Sequence, residues 1–238
     1  MDTYAVRFLY NCVRTKAFKT GDFKLKSGRP SKYFFNLGDA MMDGMGVSET
    51  VNGYAGLLKD TDFFEKYADC MNSLFFFGPA YKGIPLAGAV VMHLYDMDGI
   101  NVRWGYDRKE IKDHGADASK WLVGDLRDGD IVVIFDDVIT TSATKREAWE
   151  KLSAARQGLV HGGIVIGLDR QETDLDGNSP VENLKKEDID VHTILQARTV
   201  FDYLHDNKVE GPDGSIVVDD QVYADFQAHQ EKYGIMTG

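Results

Sequence analysis

The chain has 238 residues, 43% of them hydrophobic, which suits a single α/β domain with a full core. Its formal net charge of −11 argues against a nucleic-acid-binding protein, because such proteins usually present a basic face. The two cysteines, Cys12 and Cys70, form no metal-ligand motif; they indicate reduced thiols, with a disulfide as the alternative. The N-terminus lacks a signal peptide's apolar core, and no apolar run reaches membrane-spanning length. We therefore expect a soluble cytoplasmic protein.

Helices and strands alternate along most of the chain. An amphipathic helix is predicted over residues 3–17, and two short strands joined by a Gly-Arg-Pro turn over residues 23–36. Ser48 is expected to cap a helix that continues to about Lys59. Further strands are predicted at 74–77, 100–104, 131–135, 159–168 and 190–195, and further helices at 83–96, 143–157, 196–206 and 219–232. This alternation predicts an α/β fold with a mainly parallel central sheet flanked by helices.

The domain organisation is expected to be simple. Residues 1–238 contain no internal repeat and no Pro- or Ser-rich linker, so we predict one domain with a small N-terminal subdomain. The polar segment 170–188 is expected to be a surface excursion rather than a domain boundary.

The most informative segment is VVIFDDVITTSATKREA, residues 132–148, in which an apolar strand ends in two adjacent aspartates. Neighbouring carboxylates repel each other, so Asp136 and Asp137 should face a metal, ligand hydroxyls or a cation. A loop of small hydroxyl residues follows and enters a predicted helix, whose N-terminus favours phosphate. A phosphorylated sugar would satisfy both halves of the segment. The plain alternative is that the aspartates end a strand and the threonines cap a helix.

A second acidic pair, Asp219 and Asp220, also follows a β-type run. There a helix is predicted immediately, without a loop of hydroxyl residues, so one of the two aspartates is expected to be an N-cap. The loop, rather than the acidic pair, therefore distinguishes the first segment.

The segment VVIFDDVITTSAT resembles the phosphoribosyl-pyrophosphate (PRPP) binding motif of type I phosphoribosyltransferases. Four further segments resemble those of the orotate phosphoribosyltransferase family, in its order and with similar spacing: FKLKSGRPSKYFFNLG (23–38), FGPAYKGIPLA (77–87), DRKEIKDHG (107–115) and LDRQE (168–172). The resemblance covers essentially the whole chain and implies the type I phosphoribosyltransferase fold, with the N-terminal subdomain as a hood. It also implies transfer of the phosphoribosyl group of PRPP to orotate, giving orotidine 5′-monophosphate and diphosphate in UMP biosynthesis.

The resemblance gives the PRPP-binding residues their roles. Asp136 and Asp137 would meet the ribose hydroxyls and stabilise the positive charge that develops on the sugar. Tyr81 and Lys82 would meet the leaving diphosphate, although a lysine after a strand is often only a solvated loop charge. Mg²⁺ is expected, held mainly by the diphosphate and water, so no protein ligand is assigned to it. The loop expected to hold the 5′-phosphate consists of Val138, Ile139, Thr140, Thr141, Ser142, Ala143 and Thr144.

The segment 107–115 carries cations and acids in near balance, which by itself indicates a solvated loop. By resemblance it is a mobile loop that closes over diphosphate and excludes water. Arg108, Lys112 and His114 would then contact the leaving group. Lys109 would do so in the neighbouring subunit of a homodimer, so that Lys109 and Lys112 join the aspartate pair as catalytic residues.

Orotate is a flat anion that carries a carboxylate. By resemblance, Arg170 can fork onto this carboxylate. Lys26 would add positive charge next to both substrates, and Phe34 and Phe35 would offer backbone contacts and an aromatic surface, with Thr140 completing the orotate site. The plain alternative is that Tyr-Phe-Phe on a strand belongs to the core.

The chain departs from the family pattern in a few places. Ser142 stands where the family usually has Gly, which is costly if the position needs a positive φ. The segments 115–122 and 173–188 are longer than expected. A phosphoribosyltransferase for another base, such as a purine, and a non-catalytic PRPP-sensing regulator remain the alternatives. The segments 23–38 and 168–172 favour an acidic pyrimidine, and the loop cations favour an enzyme.

Overall fold

The computed structural model describes residues 1–25, 27–108, 121–139 and 142–235. Its helices are α1 (Thr3–Arg14), α2 (Leu37–Ala40), α3 (Gly44–Asp60), α4 (Phe63–Lys66), α5 (Gly83–Asp98), α6 (Ala143–Ala155), α7 (Pro180–Lys185), α8 (Ala197–Asp206) and α9 (Asp220–Tyr233). Its strands are β1 (Phe18–Lys24), β2 (Pro30–Phe35), β3 (Leu74–Gly78), β4 (Arg103–Asp107), β5 (Leu122–Gly124), β6 (Ile131–Val138), β7 (Val160–Asp169) and β8 (Val191–Gln196). A short 3₁₀ helix covers Ala68–Ser73.

Six strands form the central sheet in the order β5-β4-β3-β6-β7-β8. Strand β5 pairs antiparallel with β4, and every other neighbouring pair in this sheet is parallel. Helices cover both faces, because the sheet buries side chains on both sides: Phe76 belongs to one core cluster, whereas Phe75 and Phe77 belong to the other. The predicted α/β fold with a mainly parallel sheet is confirmed.

Strands β1 and β2 form a separate antiparallel hairpin, with Phe18 opposite Phe35. Aromatic packing ties this hairpin to the C-terminal helices. The ring of Tyr33 on β2 lies 5.9 Å from that of Phe226 on α9, which in turn stacks at 3.6 Å on Phe201 of α8. The hairpin is therefore anchored by residues that lie nearly two hundred positions away in the sequence, and this anchoring positions β2 beside the carboxyl ends of the sheet strands.

Several predicted boundaries are wrong for local reasons. Helix α3 begins at Gly44 because the side chain of Asp43, and not that of Ser48, caps it by accepting a hydrogen bond from the Gly46 N–H at 2.6 Å. Helix α5 continues to Asp98 and is capped by Gly99, where φ is +68°, so β4 covers residues 103–107 instead of 100–104.

The structure also bears on the predictions about the second acidic pair, the segment 173–188, the cysteines and membrane-spanning helices. Asp219 is the N-cap of α9 and accepts from the Val222 N–H at 2.8 Å. The segment 173–188 contains the short helix α7. Cys12 and Cys70 are both free thiols. Within the described ranges, none of the helices is long and apolar enough to cross a membrane.

Candidate active site

A cleft of about 520 Å³ opens where the carboxyl ends of β3, β6 and β7 meet strand β2. Open parallel sheets bind ligands at this position. The cleft joins the hairpin, the β3–α5 turn and the ends of two neighbouring parallel strands. Its lining consists of Leu25, Phe34, Phe35, Pro79, Ala80, Tyr81, Lys82, Asp136, Asp137, Val138 and Arg170. Most of these residues were singled out from the sequence, and the structure brings them to one cavity.

The aspartate pair lies at the end of β6, and each carboxylate has its own lysine. Lys82, from the β3–α5 turn, donates to Asp137 Oδ2 at 2.5 Å, and Lys145, from the first turn of α6, donates to Asp136 Oδ2. The remaining carboxylate oxygens accept from the backbone: Asp136 Oδ1 from the Asp137 N–H at 2.8 Å, and Asp137 Oδ1 from the Val138 N–H at 3.0 Å. Local hydrogen bonds and two cations thus fix both carboxylates.

Opposing effects act on the Asp137 carboxyl, and together they leave its pKa above the ordinary value. Asp137 is buried, and burial raises the pKa of its carboxyl, with the charge of Asp136 acting in the same direction. Lys82 opposes both effects. The side chain of Lys82 is 45% exposed, so a ligand can compete for it. Lys82 therefore favours the ionised form of Asp137.

The turn from β3 into α5 presents Tyr81 and Lys82 at the rim of the cleft. Gly78 and Gly83 pack so closely that a Cβ on Gly78 would lie 2.0 Å from the Gly83 carbonyl oxygen. The Ala80–Tyr81 peptide is cis, and the Ala80 N–H donates to Asp107 Oδ1 at 2.6 Å. Arg108 follows β4 directly, at the same end of the sheet. The glycine pair explains why this turn has no room for larger residues.

The described part of the hydroxyl-rich loop leads from β6 into α6. Ile139 is buried, while Ala143 and Thr144 are exposed at the start of the helix. Ser142 has φ −72° and ψ −17°, and its side chain makes no capping hydrogen bond to α6. Since φ is negative here, the serine that replaces the family's usual glycine carries no backbone strain.

Arg170 follows β7 and is 6% exposed. Its Nη2 donates to Glu172 Oε1 at 2.7 Å and to Ser31 Oγ at 2.9 Å, and its guanidinium carbon lies 4.2 Å from the centre of the Tyr33 ring. Its Nε is buried and has no hydrogen-bond partner among the described residues. The guanidinium is therefore held from one side and retains a donor for an anion.

Glu172, which holds Arg170, is itself the centre of a buried cluster. Its Oε1 also accepts from the Tyr33 hydroxyl at 3.0 Å and lies 3.0 Å from His229 Nε2, on helix α9. Burial raises the pKa of the Glu172 carboxyl, but the hydrogen bond from His229 and the charge of Arg170 outweigh this and leave the pKa below its ordinary value. Glu172 is therefore an ionised partner for Arg170.

Sequence reasoning assigns no role to five of these residues: Ser31, Tyr33, Lys145, Glu172 and His229. Lys145 was not assigned a role, because a lysine in the first turn of a helix is usually solvated. Glu172 lies inside the LDRQE segment, where its spacing from Arg170 was a usable signal. His229 reaches Glu172 across 57 positions, and nothing in the sequence indicates that contact.

Six of the assigned residues lie outside the described ranges: Lys26, Lys109, Lys112, His114, Thr140 and Thr141. Within those ranges, no group of three or more His, Cys, Asp or Glu side chains is placed to hold a metal ion. The cleft instead offers two carboxylates that are already paired with lysines. Neither carboxylate is assigned as a metal ligand.

Similar proteins were found by sequence and by structure. No family model matches the chain. Orotate phosphoribosyltransferase of Acinetobacter baumannii is 38% identical over 218 residues, which is 91% of this chain and 90% of the relative. The enzyme of the same name from Agathobacter rectalis is 34% identical over 236 residues, or 98% of this chain and 99% of the relative.

The crystal structure of orotate phosphoribosyltransferase from Francisella tularensis superposes with a TM-score of 0.75 at 28% identity, covering 96% of this chain and 99% of that one. The match thus extends over sequence, fold and nearly the full length of both proteins. This chain belongs to the orotate phosphoribosyltransferase family.

Proposed function

We propose that this protein transfers the phosphoribosyl group of PRPP to orotate, forming orotidine 5′-monophosphate and diphosphate in pyrimidine biosynthesis. One observation carries the proposal: a single cleft is lined by both the aspartate pair and Arg170, whose guanidinium is held by Glu172. A ribose needs hydrogen-bond acceptors, and orotate needs a cation for its carboxylate. The relatives named orotate phosphoribosyltransferase favour this base over a purine.

Asp136 and Asp137 serve the sugar in this proposal. As the bond from the anomeric carbon to diphosphate breaks, positive charge grows on the ribose, and nearby carboxylates stabilise it. Both carboxylates also accept hydrogen bonds from the ribose hydroxyls. The loop 138–144 holds the 5′-phosphate in this proposal, because it leads into the N-terminus of α6 and a helix N-terminus favours an anion.

The diphosphate leaves at the rim of the cleft. Lys82, partly exposed, exchanges its contact with Asp137 for the leaving group, and Tyr81 and Arg108 are at the same end of the sheet. Lys112 and His114 complete this set in the proposal. Mg²⁺ bound through diphosphate oxygens and water supplies further neutralisation of the leaving charge.

Orotate lies beside Arg170 in this proposal. Arg170 offers its guanidinium to the substrate carboxylate, and the phenyl ring of Phe34 and the strand backbone at Phe35 form the wall beside it. Lys26 and Thr140 are proposed to contact the base as well. Orotate is then held between the hairpin and the ends of the strands, with its ring nitrogen directed at the sugar.

The test is a spectroscopic assay of the purified protein. Orotate absorbance should fall when PRPP and Mg²⁺ are both present, and should stay constant when either is omitted or when EDTA is added. Turnover of hypoxanthine, guanine or uracil in place of orotate would contradict the assigned base. Binding of PRPP without turnover of any base would favour the alternative of a non-catalytic, PRPP-sensing regulator.

We further propose a cytoplasmic homodimer in which Lys109 of one chain serves the partner's site. Two-fold symmetry makes this testable by mixing Lys109→Ala and Asp137→Asn homodimers, each nearly inactive. A mixed dimer would contain one site with both defects and one with neither, so random exchange should restore roughly a quarter of the activity of the unmodified protein. No recovery after exchange verified by mass spectrometry would contradict the shared lysine.

A further inference from the structure

Lys145 is an unusual feature of the cleft, since only 5% of its side chain is exposed. Lysines are almost never this buried unless they are paired, because removing an ammonium group from water is costly. Its Nζ donates to Asp136, a carboxylate that the proposed reaction uses. The lysine is therefore tied to the aspartate pair and not to the surface of α6.

The two lysines at the pair differ in one important respect. The side chain of Lys82 is 45% exposed at the rim of the cleft, whereas the side chain of Lys145 is buried and contacts Asp136. Lys82 can turn to a diphosphate without repacking the protein. Lys145 cannot leave without opening the start of α6.

We propose that Lys145 is a positioning residue that holds the Asp136 carboxylate in place and keeps the aspartate pair ionised while Lys82 serves the substrate. This inference rests on the proposed function, because it assigns Lys82 to the leaving group. Lys145 touches Asp136 and acts through it.

The reason is electrostatic. Once Lys82 leaves Asp137, two adjacent carboxylates share the end of β6, and like charges disfavour their joint ionisation. Burial and Asp136 already raise the pKa of the Asp137 carboxyl. Among the described residues near the pair, the neutral hydroxyl of Tyr54 donates to the Asp136 carbonyl, and the guanidinium of Arg170 lines the same cleft. Of the two lysines paired with these carboxylates in the described residues, Lys145 is then the one that remains in contact with the pair.

The experiment compares Lys145→Met with Lys145→Arg, using Lys151→Met, an exposed lysine on the same helix, as the matched control. An opposite charge within a few ångströms shifts a carboxyl titration by about 1–3 pH units. We expect Lys145→Met to move the acid limb of the kcat–pH profile upward by at least about one unit, with kcat at pH 7 lowered about tenfold. The dissociation constant of PRPP should change less than threefold, Lys145→Arg should recover much of kcat, and Lys151→Met should match the unmodified protein.

A second readout does not depend on turnover. Carboxyl ¹³C NMR of aspartate-labelled protein without substrates should show the pair titrating at higher pH in Lys145→Met than in the unmodified protein. If the unmodified protein fails to use orotate, the proposed function is wrong, while this titration still decides the role of Lys145. Should Lys145→Met not fold, Lys145→Gln is measured in the same way.

Two outcomes would overturn the proposal. An unchanged acid limb and unchanged carboxyl titration in a folded Lys145→Met protein would show that the lysine does not support the ionised pair. Weaker binding of both PRPP and ribose 5-phosphate, with kcat and the acid limb unchanged, would instead make Lys145 a direct phosphate ligand.

Discussion

At the carboxyl end of strand β6, two carboxylates line the cleft and each is paired with a lysine. After the carboxyl end of strand β7, one guanidinium lines the cleft and is paired with a glutamate. We refer to the first as the acidic end, formed by Asp136, Asp137, Lys82 and Lys145, and to the second as the basic end, formed by Arg170, Glu172, Tyr33, Ser31 and His229. At each end, the group that lines the cleft carries one sign of charge, and a residue of the opposite charge is paired with it.

The ends differ in how firmly that charge is held. At the basic end, the side chains of Arg170, Glu172 and His229 are each at most 7% exposed, so the arginine is fixed before any ligand arrives. At the acidic end, Lys82 is partly exposed and its contact with Asp137 can be exchanged. A preorganised group suits recognition of a rigid planar anion, whereas an exchangeable cation suits a leaving group whose charge changes during reaction.

The largest effect should come from removing a charge at the acidic end. Asp137→Asn keeps the hydrogen-bonding shape but lacks the negative charge that stabilises the developing cation, so we expect kcat to fall about a hundredfold. The dissociation constant of PRPP should rise by much less, as measured by calorimetry on the same preparation. Stability should hold, because the change also relieves repulsion with Asp136 and leaves Lys82 partly solvated.

Asp219→Asn provides the matched control for that substitution, since it makes the same change in the other acidic pair. Asn caps a helix about as well as Asp, so α9 and the activity should both be unaffected. A binding defect in Asp137→Asn with normal turnover at saturation would contradict the electrostatic role of the acidic end.

At the basic end, Arg170→Ala should chiefly damage the use of orotate. Losing a charge-assisted contact costs about 1.5–3 kcal/mol, or roughly ten- to a hundredfold in affinity. Arg170→Lys keeps a charge but not the planar fork and should recover only part of the loss. Binding of PRPP, measured separately, should be nearly unchanged in both variants. Equal losses for both substrates would mean that the two ends of the cleft are not separate sites.

A subtler way to disturb the basic end is Glu172→Gln, which leaves Arg170 in place but removes its counter-ion. We expect the KM for orotate to rise about tenfold or less, since the guanidinium loses its orientation and not its charge. The substitution should also lower the free energy of unfolding near pH 7. Glu187→Gln, at an exposed ion pair with Arg146, is the control and should change neither quantity.

The effect of Glu172 on stability should depend on pH in a defined direction. Its carboxyl pKa is depressed below the ordinary value of 4.5, so the ionised form stabilises the fold at every pH above that value. As the pH falls from 4.5 through the lower folded pKa, this contribution is lost. Denaturant titrations should therefore show a difference in the free energy of unfolding between the unmodified protein and Glu172→Gln. This difference should be constant from pH 5 to 8 and should become smaller below pH 4.5. A gap that widens in acid would contradict the ionised glutamate.

The two ends also differ in how well the sequence predicts them. Asp136, Asp137 and Lys82 stand in short motifs at strand ends, where local order along the chain fixes their position, and the structure places them in one cleft. The role of Lys145 is not predicted by the sequence, because the burial of this lysine depends on how α6 packs and spacing along the chain does not reveal that. His229 joins the basic end through tertiary packing of α9 against β2, and no local pattern encodes that contact.

The smallest expected effect concerns Ser142, on the loop that leads from the acidic end into α6. A glycine would help only if the backbone there needed a positive φ, but φ is −72° and the serine side chain makes no capping bond to the helix. Ser142→Gly should therefore lower the free energy of unfolding by less than about 1 kcal/mol, through the extra freedom of the unfolded chain, and leave kcat within twofold. The reverse exchange, Gly99→Ser at φ +68°, should cost about 1–2 kcal/mol because a side chain there is strained. Thermal and denaturant unfolding of the two variants compares them directly. If Ser142→Gly stabilised the protein or raised kcat/KM, the loop would have to adopt a positive φ when PRPP binds, and the acidic end would then be less preorganised than its hydrogen bonds indicate.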